Sequence, residues 1–313
     1  MVERLRSASS AFFGSTQEAK QRAHVGSYVG YLGVGTENVG DSAPSPVESL
    51  NLPGYQEAGC AWIAKSASAT CPWRHATWLP EQAGFRQAAL DYWGSVTAVL
   101  TWLMDLCEVA LGLSHGFFTE SSFALPSCLL RIANYPATEE AASDEKRGLR
   151  YGAHTDYFFC ATILQRAAGD ACLQVETVDH GRWLTVPANP NTLTVIIGDM
   201  FSRWTNDRWR APTHRVVSSS QAEERLAVAF FTGPHPQTLV ECVPSLKCYP
   251  DKTRYEPITA AEHVRAGMEY GPEEAKSMAR ASRRFVPVPA DANSGERRVG
   301  TTRVKRPREE NDE

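Results

Sequence analysis

The tightest constraint on this chain is the stretch Gly152-Ala153-His154-Thr155-Asp156, where an imidazole and a carboxylate stand two residues apart. Extended backbone sends alternate side chains to opposite faces. His154 and Asp156 therefore share one face of a β-strand, and Thr155 points the other way. A second imidazole, His214, sits in Thr213-His214-Arg215-Val216 after a run of hydrophobic segments punctuated by turns. Two histidines and one carboxylate can take one face of an octahedral metal and leave its other positions open. That arrangement suits a non-haem Fe(II) centre and not a closed structural zinc site. Further along, Arg225 supplies a planar cationic fork for a carboxylate.

A lone His-x-Asp arises by chance in many chains, so its surroundings decide its weight. From about Leu125 to Val243 the chain reads as short strands with turns between them, the pattern of an all-β barrel. Val175-Glu176-Thr177 and the run from Arg182 to Val186 flank Asp179-His180-Gly181, a hairpin signal that leaves His180 on an exposed turn. Thr192 to Ile197 is rich in β-branched residues and reads as a buried strand, with Gly198-Asp199 turning the chain. Alternation gives Arg225, Ala227, Ala229 and Phe231 one common face, and Arg131, Ala133 and Tyr135 another.

Earlier in the chain the period changes. Phe85, Ala88, Ala89, Tyr92, Val96, Val99, Leu100, Leu103, Cys107, Ala110 and Leu111 recur at three- and four-residue steps, one face of a long helix ending near Gly112. It is expected to cover the outside of the barrel and to carry no chemistry. Residues 1 to 33 begin with two helices, and residues 34 to 84 read as loop with short strands, Trp62, Trp73 and Trp78 serving as packing residues.

The segments Leu130-Arg131-Ile132-Ala133-Asn134-Tyr135-Pro136, Gly152 to Tyr157, Leu173-Gln174-Val175, Gly181-Arg182-Trp183, Ile197-Gly198-Asp199-Met200, Trp204-Thr205-Asn206-Asp207, His214-Arg215-Val216 and Arg225 to Phe231 follow one another in a familiar order. In this the chain resembles the isopenicillin N synthase-like family of Fe(II)/2-oxoglutarate-dependent dioxygenases, over roughly Phe12 to Met268 and most strongly between Leu129 and Phe231. The resemblance implies a mainly β fold with flanking helices around a double-stranded β-helix (jelly-roll) core. It implies His154, Asp156 and His214 as the Fe(II) ligands and catalytic triad. Arg225, with Tyr135, would hold the far carboxylate of 2-oxoglutarate. Arg131 and Phe231 are the candidates on the substrate side, one for an anionic group and one for an apolar group.

Two positions depart from the family pattern. The serine two residues after the arginine is Ala227 here, and the asparagine two residues before the tyrosine is Ala133. Losing a hydroxyl donor to a buried charged acceptor removes about 1.5–3 kcal/mol, so cosubstrate binding is expected to be weakened and not abolished. The implied reaction is oxidation of a small organic substrate by O2, usually hydroxylation, with release of succinate and CO2. The alternatives are an oxidase of the same family that does not use 2-oxoglutarate, and a non-catalytic member kept as a binding or scaffold module. A zinc hydrolase ranks last, for want of a separate general base near the triad.

Composition narrows the field further. A chain of 313 residues that is 42% hydrophobic can bury a sizeable core, and a net charge of −4 gives no reason to expect nucleic acid as a partner. Eight cysteines without a Cys-x-x-Cys pair read as reduced, buried thiols. No run of about eighteen uninterrupted apolar residues occurs, the nearest being broken by Asp105 and Glu108, so no membrane partner is expected. The expected organisation is an N-terminal helical and loop region over residues 1–84, which looks truncated beside the resembling family. A catalytic core over residues 85–289 follows, with a terminal helix within Glu262 to Met278, and then a disordered charged tail over residues 290–313. The cytoplasm is the default location, and the basic cluster Arg303 to Arg308 makes the nucleus the alternative.

Overall fold

The structure is a computed structural model that describes residues 1–26, 29–37, 45–53, 83–123, 126–137, 148–167, 169–178, 181–189, 191–218, 224–246 and 253–272. His180, Trp62, Trp73, Trp78 and the whole charged tail lie outside the described residues.

Two antiparallel sheets carry the fold. The larger has seven strands in the order β1 (His24–Gly26), β2 (Val29–Leu32), β3 (Glu48–Pro53), β4 (Ser127–Tyr135), β11 (Arg225–Gly233), β6 (Ala161–Gln165) and β9 (Thr194–Ile197). The smaller has four, in the order β5 (Leu149–His154), β10 (His214–Val217), β7 (Leu173–Glu176) and β8 (Trp183–Thr185). Strands distant in sequence lie side by side, as a jelly roll requires, and β7 and β8 form the expected hairpin. Three strands of the larger sheet come from residues 24–53, and β3 pairs with β4 from Glu48↔Asn134 to Pro53↔Leu129. A division at residues 84/85 therefore does not separate two structural units: backbone pairing joins the N-terminal region to the core sheet.

Strand alternation sorts the larger sheet into two chemistries. Leu50, Leu52, Leu130, Ile132, Ile163, Leu226, Val228 and Phe230 point outward into the main hydrophobic core. The long helix α3 (Ala83–Leu111) covers this face, with Trp93 set edge-on against Phe230 at 4.7 Å. Its buried stripe follows the expected spacing, with Met104 added and Ala110 left exposed, and Gly112 ends it at φ +65°. Length and composition alone would let Gly84–Leu111 pass as a membrane span; in the structure its stripe packs on the sheet and on α1 (Val2–Phe13). Near its end Glu108 turns inward and accepts the backbone N–H groups of Gly116, Phe118 and Thr119 at 2.8–3.0 Å, which explains a buried acid in an apolar stripe.

The inner face of the sheet carries the polar and small residues. Arg225 pairs with Tyr135, Ala227 with Ala133, Ala229 with Arg131 and Phe231 with Leu129. The two groups read from alternation as separate faces are thus one continuous surface, looking toward the smaller sheet. Val47, Cys172 and Val216 close a small second core against Ala133, Tyr135 and Ala227.

Two local expectations change. Within Thr192 to Ile197 only Ile196 is buried, because β9 is the edge strand and has one neighbour, β6. The residues after Gly198 form a short helix, α4 (Asp199–Trp204), and not a simple turn. The terminal helix, α5 (Ala260–Tyr270), opens on a capping box in which the Thr259 side chain accepts from the Glu262 N–H and Glu262 reaches back to the Thr259 N–H. Gly271 at φ +81° follows its last turn, and residues 273–278 of the expected terminal helix lie outside the described residues.

Candidate active site

His154 is the last residue of β5 and His214 the first of β10, and the two are register partners. Their rings stand 4.2 Å apart between centroids. The Nε2 atoms of both lie 3.7 Å from Asp156 Oδ1, which two metal–ligand bonds of about 2.1 Å can span. The Nδ1 of His154 is 2.8 Å from the Gly152 carbonyl, and that of His214 is 3.2 Å from the Pro212 carbonyl. A carbonyl only accepts, so Nδ1 carries the proton in each ring and Nε2 keeps its lone pair toward Asp156. The second oxygen of Asp156 accepts a hydrogen bond from Thr162 on β6, leaving Oδ1 for the shared point. Burial, with His214 alongside, pushes the His154 imidazole down to about 4 against the pull of Asp156, so it is neutral near pH 7, the form a metal needs. Two imidazoles and one carboxylate, with their ligand atoms gathered about one point, fit a divalent cation.

The loop that carries Asp156 is pinned from both sides. Gly198 N–H donates to the Cys160 carbonyl at 2.7 Å, and Asp199 N–H to the Asp156 carbonyl at 3.0 Å. A Cβ on Gly198 would sit 2.1 Å from the Phe159 carbonyl oxygen, so glycine is required for this approach. On the other side Tyr157 stacks on His263 of α5 at 4.3 Å, and the His263 Nε2 meets the Tyr157 carbonyl at 2.8 Å.

Arg225 begins β11 on the same inner surface. Its guanidinium lies over the Tyr135 ring at 4.6 Å, so the two residues expected to act together do meet. Its Nε donates to Asp170 Oδ2 at 2.7 Å, a partner the sequence did not reveal. Phe231, on the same face, stacks on Phe159 at 4.6 Å, which makes Phe159 a second aromatic of this wall.

Arg131 does not stand as a free cation. It forms a buried ion pair with Glu37, its Nη2 2.9 Å from both carboxylate oxygens, and its Nη1 donates to Ser49 and Asn51, while the Tyr151 hydroxyl donates to Glu37 Oε2. The expectation that Arg131 takes an anionic substrate group is therefore corrected: its charge is already matched by Glu37. The Tyr151 ring, set against His154 at 5.1 Å, connects this cluster to the metal ligands. Glu37, Tyr151, Phe159, Thr162 and Asp170 were all missed in the sequence. Glu37, Tyr151, Phe159 and Asp170 act through contacts between residues distant in the chain, and Thr162 through a bond from β6 back to the loop six residues before it.

Residues 126–234 match the 2OG-Fe(II) oxygenase superfamily. The chain is 31% identical over 202 residues to a 2-oxoglutarate-Fe(II) type oxidoreductase of Emericella nidulans, covering 63% of this chain and 56% of that protein. It is 29% identical over 255 residues to the validamycin A dioxygenase of Streptomyces hygroscopicus subsp. limoneus, covering 78% of this chain and 67% of that enzyme. The match thus spans little more than half the length of the first of these relatives. Among solved structures, a 2OG-Fe(II) oxygenase family protein of Caulobacter crescentus superposes with a TM-score of 0.73 at 22% identity, over 86% of this chain and 85% of that one. A Neurospora crassa protein crystallised with alpha-ketoglutarate and thymine superposes with a TM-score of 0.69 at 21% identity, over 88% of this chain and 83% of the other. These two share the jelly-roll fold.

Proposed function

We propose that this chain carries out the reaction of the 2OG-Fe(II) oxygenase superfamily, whose pattern its residues 126–234 match: oxidation of a small organic molecule at a C–H bond. With Fe(II) and 2-oxoglutarate bound, the centre supplies oxygen activation. One O2 is divided between substrate and cosubstrate, so that R–H, O2 and 2-oxoglutarate become R–OH, succinate and CO2. The observation that carries the reading is the convergence of His154 Nε2 and His214 Nε2 on Asp156 Oδ1, with Arg225 on the inner face of the adjoining sheet.

In this reading the chain's own residues bind, orient and exclude water. His154, Asp156 and His214 would hold the metal, which would supply the oxygen-activating chemistry when bound. Thr162 keeps the Asp156 carboxylate turned toward the metal. Arg225, lying over the Tyr135 ring, would hold the far carboxylate of the oxo acid. Phe231 and Phe159 form an apolar wall against which a substrate packs. Ala227 and Ala133 face each other directly and donate nothing, so the carboxylate depends on Arg225 and Tyr135.

Protein supplied with Fe(II), 2-oxoglutarate and O2 is expected to release succinate and CO2 in equal amounts, accelerated by its substrate and lost in His214→Ala. Oxygen uptake indifferent to 2-oxoglutarate would assign the chain to the oxidases instead.

A further inference from the structure

The buried end of the inner surface holds more charge than the reaction so far uses. Arg150, Arg166 and Arg225 gather around Tyr135, Cys172 and Asp170, and the first two are each disfavoured by burial and by the charge of Arg225. Asp170 is the carboxylate that answers Arg166 and Arg225. It is fixed at three points. Its Oδ1 accepts the Cys172 N–H at 2.9 Å, its Oδ2 accepts Arg225 Nε at 2.7 Å, and its backbone carbonyl accepts Arg166 Nη1 at 3.0 Å. Arg166 is itself tied to the carbonyls of Val186 and Pro187 and to the Thr194 hydroxyl.

A guanidinium is a rigid plane, so fixing Nε fixes the direction of its two terminal nitrogens. In Arg225 the Nη1 is buried with no partner among the described residues. A buried cationic donor left unmatched calls for an anion, and the terminal edge suits a carboxylate taken end-on through two parallel N–H bonds. The Asp170–Arg225 contact is buried on both sides, with side chains 3% and 12% exposed. It is thus placed to set geometry more firmly than a surface pair would.

We propose that Asp170 is a positioning residue for the oxo acid: by holding Arg225 through Nε it aims the terminal N–H edge at the distal carboxylate, supplying the order that Ala133 and Ala227 cannot. The inference rests on the reading of Arg225 as the cosubstrate anchor. Its signature is a preference for an oxo acid with two carboxylates over one with a single carboxylate.

Binding of 2-oxoglutarate and of pyruvate to the Mn(II)-loaded protein, followed calorimetrically, tests it. Pyruvate offers the metal the same 2-oxo acid chelate but has no distal carboxylate. The native chain is expected to bind 2-oxoglutarate at least tenfold more tightly than pyruvate. Asp170→Asn should lower 2-oxoglutarate affinity about tenfold and leave pyruvate within twofold, since the lost contact is to a charged group. Arg225→Lys, which keeps the charge but gives Asp170 no Nε to hold, should lose the same preference without altering the Asp170 turn. Full preference retained in either variant would overturn the positioning role alone. Absence of the preference in the native chain would overturn the assignment of Arg225, and this inference with it.

Discussion

At the scale of single residues, the metal ligands depend on neighbours that never touch the metal. Thr162 reaches Asp156 from β6 and leaves one carboxylate oxygen committed and the other free. Replacing Thr162 by Val keeps the shape of the side chain and removes the donor. Calorimetric titration with Fe(II) or Co(II) should then show metal affinity about tenfold weaker, the usual order for losing a group that orients a ligand. His154 offers a second check. Its imidazole, at about 4 in the folded chain against an ordinary 6.5, refuses a proton that the unfolded chain accepts. Stability from this group is therefore full above pH 6.5 and declines as the pH falls through that window toward 4. Melting temperatures of metal-free protein between about pH 7.5 and 5 should fall more steeply for the native chain than for His154→Gln.

At the scale of elements, the site hangs on a loop gripped between β9, α4 and α5. Gly198 allows the closest of these approaches, so Gly198→Ala should shift the Asp156 loop. The expected cost is at least about 1–3 kcal/mol, read as a lowered denaturant midpoint with weaker metal binding. A variant that melts and binds metal as the native chain does would show that the loop is held elsewhere. What was legible in the sequence follows the same division. The His154/Asp156 pair and the α3 stripe each repeat with the period of one element, and a period is visible without a structure. Arg131 looked available because its partner Glu37 lies on a distant loop. Asp170 escaped notice because its contact with Arg225 joins a turn to a strand far along the chain. The strand β9 read as buried from its β-branched residues, a preference that does not distinguish an edge position from a central one.

At the scale of the whole molecule, one alternation in β4 and β11 serves two purposes. Outward residues Leu130, Ile132, Val228 and Phe230 anchor the sheet to α3, and inward residues Tyr135, Arg225 and Phe231 form the working surface. The smaller sheet brings His154 and His214 against that surface, so the site exists only when both sheets are assembled. This assembly is expected to bind Fe(II) through His154, Asp156 and His214 and then 2-oxoglutarate through the metal and Arg225. Anaerobic titration of the metal-free protein with Fe(II) and then 2-oxoglutarate, following the metal-to-ligand charge-transfer absorption of the chelate, tests it most directly. A saturable band is expected, absent in His214→Ala and requiring more 2-oxoglutarate in Arg225→Ala. Iron binding without the band, or a band indifferent to Arg225, would contradict it.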